Sequence, residues 1–176
     1  MAEVSDIVYS MSNTHKTWQQ ICSDTNLSEW EKYKYFVEHD ASAAALKQKV
    51  QQHIATKGMA AVMNDSKWLK LQAAISTLPF PPAYIEKLVL DNQPFESIQI
   101  DDAPQWLGNW DPFYKEGMPL FFAIEYIKVR PRYALSQGSL VPPKIQDATQ
   151  IFEQLLTSLH IPYEEQDGTF IIYGYK

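Results

Sequence analysis

Residues 120–129 read Leu-Phe-Phe-Ala-Ile-Glu-Tyr-Ile-Lys-Val, and the reading of this run decides the fold. Apolar side chains fall on both parities, as they do in a strand covered on both faces. Glu125 and Lys128 interrupt the run, and it is far shorter than the roughly 20 apolar residues of a membrane-spanning helix. It reads as the central strand of a sheet. Toward the N-terminus, Tyr84–Leu90 and Phe95–Ile100 are β-prone runs joined by Asp91-Asn92-Gln93-Pro94, which predicts a hairpin with a four-residue loop. An aromatic, turn-rich segment over 103–119 links that hairpin to the central strand. Toward the C-terminus, Pro142-Pro143 introduces a helix whose stripe is Ile145, Ala148, Phe152, Leu155 and Leu159, and Pro162 ends it. The tail predicts a second hairpin. Tyr163–Gln166 passes through Asp167-Gly168 into Thr169–Tyr175, and an Asp-Gly pair suits the positive φ angles of a type I′ turn.

The first third is helical in pattern. Ser28 and Glu31 have capping-box spacing, and Trp30, Tyr33 and Val37 form one apolar stripe. Asp40 or Ser42 caps a second helix with the stripe Ala43, Leu46, Val50 and Ile54, and Gly58 is its natural terminator. Asn64-Asp65-Ser66 caps a third helix, striped by Trp68, Leu71, Ile75 and Leu78 and stopped by Pro79, Pro81 and Pro82. The order is helices followed by β-β-β-α-β-β. This predicts an α+β fold, a mainly antiparallel sheet with helices on one face. A boundary around Gly58–Asn64 would separate a helical segment, 1–60, from a compact unit, 61–176, unless the two are continuous.

Of 176 residues, 45% are apolar and 20% charged, so a packed core is affordable. The single Cys22 excludes an intrachain disulfide. The net charge of −6 argues against direct nucleic-acid binding through overall basicity. No basic n-region precedes an apolar run at the start, and the expectation is a cytoplasmic protein with no membrane contact. Residues before about His15 read as a leader, and Met11 is a second candidate start. The charge is concentrated. Residues 91–125 hold Asp91, Glu96, Asp101, Asp102, Asp111, Glu116 and Glu125 against Lys115 alone. Trp106, Trp110, Phe113 and Tyr114 lie in the same stretch. Acids beside large aromatics suit a cationic protein surface: the carboxylates speed encounter and the rings anchor. The alternative is that the acids serve solubility and the tryptophans cap the core.

Catalytic patterns are sparse. His15, His39, His53 and His160 share no metal spacing. No GxSxG, Walker A or GxGxxG motif occurs. Asp101, Asp102, Asp111, Glu116 and Glu125 are the groups that could converge on Mg²⁺ or Ca²⁺, and Asp101, Asp102 and Glu125 would serve a metal-dependent hydrolase. Glu125 must be paired or neutralised if its strand is buried, and Lys128 or Arg130 could partner it. Lys128, Arg130 and Arg132 alternate, which predicts a basic strip on one strand face, solvated or answering the acidic segment.

Met63-Asn64-Asp65-Ser66-Lys67-Trp68, Gln105-Trp106, the central run, Pro162-Tyr163-Glu164-Glu165, Asp167-Gly168 and Ile172-Tyr173-Gly174-Tyr175 together resemble a small uncharacterised bacterial domain family over the last two-thirds of the chain. Its members start like MNxxKW and end in a PYE…DG…YGY pattern; here His160 stands where they have glycine. The resemblance implies a fold and carries no catalytic residues. In acidity and size the chain also resembles immunity proteins of bacterial secreted toxins. That likeness implies a non-enzymatic cytoplasmic protein, without cofactor or metal, that occludes the active site or substrate surface of a cationic effector toxin. Glu96, Asp101, Asp102, Trp106, Trp110, Asp111, Tyr114 and Glu116 are the expected partner contacts. A regulatory or scaffold module is a further alternative, and exposed aromatics would also serve a homo-oligomer.

Overall fold

The computed structural model describes residues 16–97 and 99–176, so the expected leader lies outside the described residues. Four helices come first: α1 (Trp18–Ser23), α2 (Glu29–His39), α3 (Ala41–Lys57) and α4 (Asp65–Ala74). The sequence dictates their ends. Ser28 and Glu31 form the capping box of α2. Asp40 accepts the Ala43 amide to open α3, and Gly58 closes it at φ 67°, where a Cβ would be strained. Asn64 caps α4, which tightens into a 3₁₀ turn over Ile75–Thr77 before the prolines.

The strands are β1 (Ala83–Leu88), β2 (Ile124–Arg130), β3 (Arg132–Leu135), β4 (Lys144–Asp147), β5 (Glu164–Gln166) and β6 (Thr169–Tyr173), with helix α5 (Thr149–Ser158) between β4 and β5. The main sheet runs β1-β2-β6-β5, every pair antiparallel, while β3 and β4 form a separate two-stranded sheet. The fold is α+β, as the patterning predicts. β2 is central and all but Glu125 of its residues are buried. Ile127 and Val129, opposite Ile172 and Phe170, enter the main core. Tyr33 and Val37 of α2, Val50 of α3, Trp68 and Leu71 of α4, and Phe152 and Leu156 of α5 complete that core. Tyr126 and Lys128, opposite Tyr173 and Ile171, occupy the second face.

The structure departs from the patterning in several places: α1 and β3 are additional elements, and the run 120–129 opens with a 3₁₀ turn (Phe121–Ala123) before β2 begins. The described residues of the run 95–100 form no strand: Phe95–Ser97 is a 3₁₀ turn lying over the second face. The cause is on β2. Lys128 and Arg130 are buried rather than solvated, and buried cationic donors need acceptors. Lys128 Nζ donates to the Phe95 carbonyl at 2.9 Å, and Arg130 Nε donates to the Asp102 carbonyl at 2.7 Å. These bonds hold Phe95 and Asp102 to the face. Ile145 lies on a strand, not at the start of a helix. Lys144–Asp147 pairs with Arg132–Leu135, and α5 starts later because Asp147 accepts the Thr149 amide at 2.9 Å. The terminal Asp-Gly turn forms as expected, with φ 51° at Asp167 and 75° at Gly168.

Candidate functional site

The acidic segment divides into two parts with different neighbours. Its first part, 95–107, flanks the second sheet face. Beyond the bonds to Lys128 and Arg130, the Pro104 carbonyl accepts the Ala134 amide at 2.9 Å, which sets this part beside β3. Glu96, Asp101 and Asp102 are exposed there. The Asp102 carboxylate is held within the molecule: one oxygen takes Arg130 and the other takes Arg132. Arg132 also reaches Asp147 at 3.3 Å. Burial lowers the Lys128 ammonium below the usual lysine range, and the Glu96 charge opposes that shift. Lys128 stands 3.6 Å from the Phe95 ring centre, a cation–π contact. Trp106 and Leu107 follow, each 43% exposed.

The second part, 108–118, packs against the helices and departs from the expected patch. Trp110 is only 6% exposed. Its indole N–H donates to the Pro82 carbonyl at 2.8 Å and its ring lies 4.6 Å from Tyr84. Trp110 is therefore a core residue, not a surface anchor. A buried indole needs an acceptor, and the Pro82 carbonyl supplies it. Tyr114 is half-buried. Its hydroxyl donates to the Glu29 carboxylate at the start of α2, with Trp18 and Phe113 edge-on to its ring. Burial, then the bond to Glu29, pushes the phenol well above its ordinary range. Tyr114 thus ties this loop to α2 and is no free anchor. Asp111 and Glu116 remain exposed on the same loop, whose backbone is fixed by Met118 N–H to Asp111 O at 2.8 Å and Gln72 Nε2 to Asp111 O at 3.0 Å. The structure therefore brings Glu96, Asp101, Asp102 and Trp106 to one stretch, and sets Asp111, Tyr114 and Glu116 on another.

Glu125, the carboxylate on the central strand, pairs with Lys87 across β1 and β2, not with Lys128 or Arg130. Glu125 and Asp102 are thus held by different cations. Among the described residues, no group of three His, Cys, Asp or Glu side chains could hold a metal ion. Among the same residues, no helix is long and apolar enough to cross a membrane.

The structure adds surface residues that the patterning overlooks. Leu107 is one. Leu135, Leu140, Val141 and Ile145 on the β3–β4 hairpin are further ones, with Leu140 96% exposed, and Ile151 of α5 is exposed as well. The signal was present: Leu140-Val141 precede Pro142-Pro143, so they lie outside any helix that the prolines begin. The Ala134–Pro104 bond links this hairpin to the stretch carrying Trp106.

No curated protein and no solved structure matches the chain. A family model does match, over residues 50–176, which takes in α4, all six strands and α5. The chain therefore belongs to the Family of unknown function (DUF6678).

Proposed function

We propose that this chain is a non-enzymatic binding protein of the immunity type, one that neutralises a cationic effector toxin in the cytoplasm by covering its active site or substrate surface. The observation that carries this reading is the exposed Trp106–Leu107 pair within the segment that accounts for the net negative charge. Large apolar side chains left in water beside carboxylates are the composition of an interface centre with a charged rim. Leu135, Leu140, Val141 and Ile145 extend the apolar area on the adjoining hairpin. Asp102 is neutralised internally, so Glu96 and Asp101 supply the charge beside Trp106, and Asp111 and Glu116 add to the field from the separate loop over 108–118.

Carboxylates at a rim act mainly on encounter rate, whereas a desolvated Trp acts on residence time. The test is kinetic. The purified chain is immobilised, the basic toxin domain recovered with it from the native host is passed over it, and both rate constants are read against salt. The association rate falls as salt rises, and Trp106→Ala weakens binding about 30-fold, equivalent to about 2 kcal/mol. Recovery of acidic chains only, or an association rate indifferent to salt, contradicts the reading.

A further inference from the structure

A cleft of about 460 Å³ lies where the N-terminal helices meet the family-matched part of the chain. Trp30 and Lys47 line it from α2 and α3; Asp65, Phe121, Phe122 and Tyr175 line it from the rest. The two ends of the family-like sequence pattern meet at this place. Val62 and Met63 N–H groups donate to the Gly174 carbonyl at 2.9 and 3.2 Å, and Ala61 bridges Tyr175. The volume falls within the range of small-molecule sites, and four aromatic rings line it together with the polar side chains of Lys47, Asn64, Asp65 and Ser66.

The two charged groups among them are an acceptor and a cation. The Tyr33 hydroxyl, whose oxygen accepts the Phe121 amide at 3.0 Å, lies beside the Asp65 carboxylate and favours its charged form. Lys47 acts electrostatically on Asp65, yet among the described residues the two form no ion pair. Lys47 instead stands 5.9 Å from the Phe122 ring centre. An attracting pair held apart beside aromatic walls leaves room for a ligand that bears both charges. Burial raises the Asp65 carboxyl, and a ligand cation would offset that cost.

We propose that this cleft binds a free aromatic α-amino acid, with its ring against Trp30, Phe122 and Tyr175, its ammonium on Asp65 and its carboxylate on Lys47. An α-amino acid carries its two charges a few bonds apart, which suits a cation and an anion that are coupled but not touching. Aromatic faces favour a ring over an aliphatic side chain. This site is independent of the Trp106 surface and of the reading built on it.

The test is calorimetric titration of the full chain with L-phenylalanine, N-acetyl-L-phenylalanine, phenethylamine and L-leucine. The expected result is binding of L-phenylalanine, with each analogue that lacks one charge weaker by about tenfold or more, as the loss of a charge-assisted hydrogen bond requires. L-Leucine binds more weakly than L-phenylalanine. Lys47→Met lowers the affinity for L-phenylalanine to the level of phenethylamine for the wild type and leaves the thermal midpoint in place. Asp65→Asn, checked for folding by circular dichroism, removes the preference for phenethylamine over its neutral alcohol counterpart. Lys47→Met carries the test if Asp65→Asn fails to fold. No heat with L-phenylalanine, or equal affinity for the N-acetyl derivative and the free amino acid, overturns the proposal.

Discussion

A Cβ on Gly108 would stand 2.1 Å from the Pro82 carbonyl oxygen and 2.6 Å from Trp110 Nε1. The obstacle is backbone, so it cannot rotate away. Gly108→Ala should cost about 3 kcal/mol by overpacking and by prising the indole from its acceptor, read as a lowered midpoint in urea. The neighbouring tryptophans separate structure from binding. Trp110→Phe strands the Pro82 carbonyl and should lower stability by about 1–2 kcal/mol, with little effect on capture of a partner. Trp106→Ala removes a half-exposed ring, and its effect should fall on binding, with stability nearly unchanged. Sequence pattern placed both rings in the same acidic stretch and could not tell them apart. What divides them is the acceptor at Pro82, which lies 28 residues away along the chain.

The Asp167-Gly168 turn joins β5 to β6 and was legible from two residues, because positive φ at both positions leaves few alternatives. Its tertiary role was not legible. The Asp167 carbonyl accepts from Arg130, and a Cβ at Gly168 would lie 2.9 Å from that guanidinium. Gly168→Ala should therefore destabilise by about 1 kcal/mol or more through φ alone, with added disorder at Arg130. Helix α5 offers a pH test. The hydroxyl and amide of Thr149, with Arg132 behind them, hold the Asp147 carboxyl below its ordinary range. Its folded pKa is thus lower than its unfolded one. The stability that it contributes is present above the unfolded value, about 3.9, and is lost as pH falls through the folded value. Asp147→Ala should melt below the wild type at neutral pH, and the gap should close toward about pH 2. Short elements hid from periodicity for a related reason. Ile145, Ala148 and Phe152 fit a helical stripe, and only the ladder to Arg132–Leu135 and the bond from Thr149 show that the helix begins after Asp147.

At the scale of the molecule, the central strand, the terminal hairpin and the helix caps were legible because each rests on local chemistry. The path of 95–118 was not. It is set by cations on β2, and Lys128 and Arg130 give no sign in sequence that they are buried among apolar neighbours. Half of the acidic segment consequently lies over the sheet, with Asp102 spent on Arg130 and Arg132, and half lies against α2 and α4. The net charge of −6 still sets the long-range field. Association with a basic partner should slow by about tenfold between low and high salt, while dissociation changes little.

The account stands most directly on one side-by-side capture from a lysate of the native host, using the wild-type chain and the Trp106→Ala/Leu107→Ala variant at matched stability. The wild type should retain a basic toxin chain that the variant does not hold. Equal retention by both, or a wild type that holds no basic chain, would contradict it.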